Sequence, residues 1–514
     1  MNHKRNYTSK MPFKYLWLIL LIMAPHYLLV AKERLNGDDL ILSQLIEKAK
    51  TTNGTISLEA NRVYRITKPL NISNSIEGNN SKIIPKINST VAIDFKGSGI
   101  KVNRLEISGD QYKMLDVTGD NITFTNCKFI TSQYFVLIRL VGNNTKIINS
   151  FLKNNYRNGK SYVVKNKDGI GVDGLLIENS EIYSGVYLAN KKNVPIGNYV
   201  FRNNKITVDF SHLPQSINLQ NDGFHFSGIT GITFDNNKIY FKNVTRGFKM
   251  TNYDSSNRSK NQVLRPTTNV LIQNNYIESY SKNGKQLFDF YDGTAVVSIN
   301  SNEIHSYGHT TLFEDKTTGA LNTIRKLTLK NNIIYYDFRL VYYRGSTNAN
   351  NLKNIVGLYI EKNKFHYVSN NIATKIARIG SNKDLELTYP IYARSLSDFS
   401  LISNEFFDDN GSGILNDKYV VYSFDINSTQ IFKNNIFGGV LYAPNEKSKL
   451  IYNDNYVKQI GLKQLITTRK ISKNSQEIRG NSISVNNNNL NTTNKGFKIL
   501  DSSNQKGSNQ IILK

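Results

Sequence analysis

The sequence predicts an all-β solenoid: stacked coils of short parallel strands, closed at the N-terminal end by one helix. Three observations predict it. A six-residue phrase (apolar, any residue, variable, Asn, any residue, apolar) recurs along most of the 514 residues. Its spacing is that of a coil repeat. An amphipathic stretch precedes the first copy.

That stretch comes first in chain order. Asp39 to Lys50 follows Gly37–Asp38 as a start signal and carries Leu40, Ile41, Leu45, Ile46 and Ala49 as an apolar stripe. A helix here covers a solenoid end that would otherwise expose unpaired strand edges. Residues 35–75 are read as the capping helix and first coil.

The phrase then runs through residues 76–485. It reads Ile100–Asn103–Leu105, Phe201–Asn204–Ile206, Phe234–Asn237–Ile239, Ile272–Asn275–Ile277, Ile299–Asn302–Ile304 and Leu329–Asn332–Ile334. It continues as Ile360–Asn363–Phe365, Leu401–Asn404–Phe406, Phe432–Asn435–Phe437, Tyr452–Asn455–Val457 and Ile478–Asn481–Ile483. Cys127, Ser150 and Ser180 hold the Asn slot in three copies, and Asn79 opens the series. The fifteen slots lie 20 to 33 residues apart, with two gaps of 38 and 41. Alternating apolar and polar residues on either side are strand-like. The Asn is read as the corner residue in left-handed backbone, its amide bonding to equivalents about 4.8 Å up the stack. Residues 486–514, polar and Asn-rich, are read as a C-terminal cap or tail.

The opening run Asn53–Gly54–Thr55–Ile56–Ser57–Leu58, with Tyr64–Arg65–Ile66–Thr67–Lys68–Pro69–Leu70–Asn71–Ile72 after it, resembles the start of right-handed parallel β-helix proteins. That superfamily includes pectate lyases, polygalacturonases, alginate-type lyases and epimerases, and phage tailspikes. The resemblance covers roughly residues 38–485 and implies a right-handed parallel β-helix solenoid with an N-terminal capping helix. It implies a polysaccharide partner and leaves the reaction open, since one fold hosts several chemistries. Asn221–Asp222–Gly223 is similar to part of the polygalacturonase Asn-Thr-Asp-Gly element. The paired Asp, Gly-His-Gly and Arg-x-Lys elements are absent, as are the Asp-Pro-His-Asp element of mannuronan epimerases and the acidic calcium cluster of pectate lyases.

Residues 1–34 read as a signal peptide or membrane anchor. Tyr15 to Ala31 is a mostly apolar run preceded by Lys4, Arg5, Lys10 and Lys14. The expected location is therefore periplasmic, secreted or tethered to the membrane by the N-terminus. A formal charge of +26 suits a polyanionic partner, here an acidic polysaccharide, or is the solvated surface of a lysine-rich chain. No basic-aromatic nucleic-acid module is present. The single cysteine, Cys127, forms no internal disulfide and reads as packing.

Stacked coils turn outward strand positions into vertical files. Asp222–Gly223–Phe224–His225–Phe226 and Arg246–Gly247–Phe248–Lys249–Met250 align without a gap, 24 residues apart. Phe224, Phe226, Phe248 and Met250 then face inward, and His225 lies over Lys249. The neighbouring coils place Tyr187 and Asp289 in the same file. Glu314 follows with its in/out register open, then Tyr342, Tyr343 and Arg344. Gly185, Gly223 and Gly247 are expected to face outward and leave room for a sugar ring. Flanking loops carry Tyr253, Tyr291 and Tyr307, which suit stacking on sugar faces.

The candidate catalytic residues are thus His225, Lys249, Arg246, Tyr187, Asp289 and Glu314, with Tyr253, Tyr291, Tyr307 and Arg344 as substrate contacts. Uronate β-elimination or epimerisation needs a cation on the carboxylate (Lys249 or Arg246), a base for the C5 proton (His225 or Lys249) and a proton donor (Tyr187 or Tyr253). Glycoside hydrolysis needs two carboxylates, supplied by Asp289 with Glu314, Asp315 or Asp292. Asp289 and Asp292 are also candidate oxygen ligands for Ca²⁺, although no compact metal motif is present and the expectation is that no cofactor is bound. The bland reading is a solvated face of cross-strand charge pairs. Two non-enzymatic classes remain beside these: a β-helix that binds glycan during exopolysaccharide or capsule assembly, and an adhesin. The adhesin class would call for an outer-membrane barrel module, and the C-terminal residues Gln510–Lys514 carry no such pattern.

Overall fold

The computed structural model describes residues 37–87, 91–109, 114–167, 170–190, 196–214, 221–251, 266–291, 295–316, 325–344, 356–368, 390–394 and 396–409, and then the strands of the last coils up to residue 513. Within them the chain winds as a right-handed parallel β-helix. Each strand pairs in parallel with the strand one coil on. Gly197–Arg202, Lys205–Asp209 and Asp222–Ser227 form one such coil. They pair with Thr230–Asp235, Lys238–Lys242 and Arg246–Thr251 of the next. These strands define a first, second and third face. In two later coils the second and third strands run together, as Tyr276–Tyr291 and Glu303–Lys316.

The core forms because every strand alternates. Ile206 and Val208 are buried while Lys205 and Asp209 are exposed, and in-register coils stack like on like. Phe224, Phe248, Phe288 and Phe313 make a continuous ring stack, with centroids 5.2, 4.9 and 4.9 Å apart. Offset stacking of this kind adds to the area each ring removes from water.

The helix α1 (Gly37–Thr52) caps this core with Leu42, Ile46 and Ala49. Leu40, expected in the apolar stripe, is instead 46% exposed. Asp39 is buried and accepts hydrogen bonds from the Thr67 amide at 3.0 Å and the Thr67 hydroxyl at 2.6 Å. Asp38 accepts from the Arg65 amide at 2.8 Å. Two acidic residues in the first helical turn thus fasten the cap to the first coil and also suit the helix dipole.

The Asn file is a buried amide ladder. Asn204, Asn237, Asn275, Asn302, Asn332, Asn363, Asn404, Asn435 and Asn455 each donate to or accept from the next, with Nδ2–Oδ1 distances of 2.8 to 3.1 Å. Backbone amides join in: Ser180 N donates to Asn204 Oδ1 at 2.9 Å, and Ser150 N to Ser180 Oγ at 3.0 Å. Two details differ from the sequence reading. The left-handed residue is the one before the ladder position, as at Asn203, Asn236, Ser301, Lys362 and Ser403. Asn103 stands outside the ladder, since Leu105 is the residue in line with Ser81 and Asn103 itself pairs with Thr125 and donates to Glu77. Asn481 lies outside the described residues.

A second correction concerns the glycines. A Cβ on Gly223 would lie 2.5 Å from Phe241 Cε1, and one on Gly247 would lie 2.5 Å from Leu287 Cδ1. Both therefore face the core, in line with buried Leu287. Residues 223 and 224 thus both point inward, and Phe241 fills the space that a side chain at 223 would take. Gly185 abuts the Gly223 carbonyl, where a Cβ would sit 2.1 Å from oxygen. None of the three opens room for a sugar.

Candidate functional site

On the third face the predicted file is in register. Lys165, Tyr187, His225, Lys249, Asp289, Glu314 and Tyr342 are successive parallel partners. Glu314, whose side was open, belongs to the outward file. Because alternation fails at Gly223 and Gly247, the residues three positions earlier, Asp222 and Arg246, lie on the same side as this file and contact it. This makes a second file of Asp222, Arg246, Gln286 and Thr311.

The two files are cross-linked by charge. Arg246 is the hub: its Nε lies 3.0 Å from Asp222 Oδ1, and its Nη1 donates to Asp289 Oδ2 at 3.0 Å. Asp222 Oδ2 also faces Lys249 Nζ at 3.7 Å and His225 Nδ1 at 3.6 Å. The edge of the His225 ring meets Tyr187, with centroids 4.6 Å apart and planes at 70°. Farther along, Asp315 is ion-paired with buried Arg325. Gln286 is 2% exposed, and among the described residues its Oε1 accepts no hydrogen bond. An orphaned acceptor beside a buried charge hub is the kind of polar group that marks functional sites.

The file is a gradient in accessibility, which the sequence did not reveal. The Asp289 side chain is 5% exposed and Glu314 is buried, whereas the side chains of His225 and Lys249 keep 14% and 11%. Solvent therefore reaches the Lys165–Lys249 end and hardly touches the carboxylates. Beyond Tyr187 the accessible end opens into a cleft of about 270 Å³ that includes Phe135, Arg139 and Lys165. Lys165 Nζ sits over the rings of Phe135 and Tyr187, 5.2 and 5.3 Å from their centroids.

Burial and neighbouring charge set the protonation states. Burial first, then Lys249, Arg246 and Lys160, hold His225 well below the usual imidazole range. Its ring is neutral at neutral pH. Burial also lowers Lys249, against the pull of Asp222. Burial pushes Asp289 up to about 6; Arg246 opposes the rise and Glu314 adds to it. Lys160 is lowered by burial, opposed by Asp222.

Lys160 and Lys165 were not singled out from the sequence. Lys165 was within reach, since Tyr162–Asn166 has the alternation of its neighbours and extends the file by one coil. Lys160 was not, because it comes from a turn. Of the predicted substrate contacts, Tyr253 lies outside the described residues. Tyr291 ends a strand opposite Thr251, and Arg344 ends one opposite Lys316 and Arg394. Tyr307 is a correction: it is a strand residue on the second face, its ring stacked on Tyr280 at 4.9 Å, away from the His225 file. Asp292, the second calcium ligand considered, also lies outside the described residues. Among those residues no group of three or more His, Cys, Asp or Glu side chains is placed to hold a metal ion.

No family model matches the chain, and no curated protein matches its sequence. Solved structures similar to it include a mutant tailspike protein of E. coli bacteriophage HK620 in complex with a pentasaccharide. It is 9% identical, with 93% of this chain and 75% of that chain covered and a TM-score of 0.38. A second mutant of that tailspike, in complex with a hexasaccharide, is 10% identical, with 93% and 74% covered and a TM-score of 0.27. A rhamnogalacturonan lyase is 11% identical, with 83% and 78% covered and a TM-score of 0.16. Likenesses at this level assign no activity.

Proposed function

We propose that the chain is an exported carbohydrate-active protein that processes an acidic polysaccharide by removing the C5 proton of a uronate. The observation that carries this reading is the neutral imidazole of His225 stacked over Lys249 at the solvent-reaching end of the file, with Lys160 and Arg246 beside it. Cations at that end suit the uronate carboxylate, and neutralising it makes the C5–H acidic. His225 takes the proton on Nε2, and Asp222, facing Nδ1, stabilises the imidazolium that forms. The C5–H electron pair becomes the C4–C5 double bond, the C4–O4 bond breaks, and O4 takes a proton from Tyr187. No water is consumed. Epimerisation shares the first step and returns a proton to the other face. Export rests on the apolar run Tyr15–Ala31 and its basic flank.

A second reading, glycoside hydrolysis, is favoured by Asp289, held near pKa 6 beside Glu314. A raised acid next to a second carboxyl is the pattern such enzymes use. The depth of both groups weighs against it, since a glycosidic oxygen must touch the acid.

The test is end-group analysis of polygalacturonate, alginate and hyaluronan after incubation with the purified protein. Elimination yields ultraviolet-absorbing unsaturated ends that disappear in His225→Ala. Hydrolysis yields new reducing ends without that absorbance and overturns the elimination reading. Binding with no new ends and no change in C5 configuration leaves a glycan-binding β-helix of the kind used in exopolysaccharide assembly, whereas inverted C5 centres without new ends mark epimerisation.

A further inference from the structure

Where the second face turns into the third, two turns on either side of the short Tyr183–Gly185 corner enclose a cleft of about 480 Å³, a volume that suits one or two sugar rings. One wall is the turn around Tyr156 and Arg157; the other carries Asp209 and His212. His212 Nε2 lies 3.3 Å from the Gly159 carbonyl oxygen, which ties the walls together. The floor is rigid. Buried Asn154 donates to the carbonyls of Tyr134 at 3.1 Å and Tyr162 at 3.0 Å, and the hydroxyls of Ser161 and Ser184 pair at 2.7 Å.

The charge of this lining is unbalanced. Its one carboxylate among the described residues, Asp209, is already engaged by Lys242 at 3.7 Å and by the Ser211 amide at 2.8 Å. The cations Lys153 and Arg157 have no carboxylate partner among the described residues. Lys153 Nζ rests over the Tyr183 ring, 5.6 Å from its centroid. Two uncompensated cations, an aromatic ring and a hydroxyl floor are the elements that hold a carboxylated sugar. The same turn joins the cleft to the charge cluster: Arg157 lines the cleft, while Lys160, three residues on, lies within the fields of Asp222 and Arg246.

We infer that this corner cleft is a subsite for a further uronate unit of the same polymer, one that crosses the turn between Arg157 and Lys160. The ligand's identity rests on the acidic-polysaccharide reading; the cleft's preference for an anion does not.

The experiment is calorimetric titration of the full chain carrying His225→Ala with tetragalacturonate, tetramannuronate and a hyaluronan tetrasaccharide. The same titrations are run with Lys153→Ala/Arg157→Ala added and with methyl-esterified tetragalacturonate. Binding of at least one acidic probe is expected, weakened at least tenfold by the double substitution. Its salt dependence should become shallower, and the methyl ester should bind the unsubstituted cleft no better than the acidic probe binds the substituted chain. Unchanged affinity in the substituted chain, equal binding of the ester, or no binding of any acidic probe overturns the subsite. Should cleft-dependent binding persist while the chain with His225 intact forms no unsaturated ends, the elimination reading falls and the subsite stands. Should elimination proceed with the same KM after Lys153→Ala/Arg157→Ala, the subsite falls and elimination stands.

Discussion

Asp289 offers the sharpest stability prediction. Its carboxyl moves from 3.8 to about 6 on folding. Each unit corresponds to about 1.4 kcal/mol, so roughly 3 kcal/mol of folding free energy depends on its protonation. The side chain is 5% exposed, so solvent screening removes little of this. A raised folded-state value means that the native chain holds the proton more tightly than the unfolded one. The contribution is fully present below about pH 4 and is lost as pH rises through about 6. Asp289→Asn abolishes the titration. It also removes a charge partner of Arg246, which offsets the whole stability curve without changing its slope. Urea denaturation followed by far-UV circular dichroism from about pH 4 to about pH 8 should show wild type losing about 3 kcal/mol relative to Asp289→Asn, most of it between about pH 4 and pH 6.5. Curves that run parallel across that range would refute the buried-acid reasoning.

Other outcomes follow from the same geometry. Arg246→Met leaves Asp222 and Asp289 buried without their guanidinium and should cost about 3 to 5 kcal/mol in denaturant unfolding; it should also push the Asp289 titration above its wild-type position. Asn302→Ala removes the acceptor of the Asn275 amide at 2.9 Å and of Asn275 Nδ2 at 3.0 Å. The loss should be about 2 to 4 kcal/mol, and Asn302→Ser should recover part of it, as Ser150 and Ser180 do in the same file. Gly223→Ala drives a methyl against Phe241 and should destabilise by about 1 to 3 kcal/mol, whereas the outward glycine of the sequence reading would have tolerated it.

Much of the fold was readable because a coil repeat writes itself into the sequence as a fixed offset. The gap-free match of Asp222–Phe226 with Arg246–Met250 set the His225–Lys249 register, and the structure reproduces it pair for pair. Asn103 misled because its flanking apolar residues fit the phrase although its strand runs in line with Thr125. The inward direction of Gly223 and Gly247 was hidden because strict alternation fails there, and no local signal in the sequence marks the failure. Burial of Asp289 and Glu314 was equally hidden, since exposure depends on what the rest of the fold lays over a file. Lys160 reaches the site from a turn more than sixty residues before Asp222 in the chain, a proximity that only coil stacking creates.

The claim with most at stake is that the imidazole at 225 deprotonates a uronate. A polyuronate deuterated at C5 measures that event itself, whichever product follows. Incubation with the wild-type chain should wash the label into solvent, and His225→Ala should stop the loss while the polymer still binds. Chain cleavage with the C5 label fully retained, or label loss that continues unchanged in His225→Ala, would contradict the account.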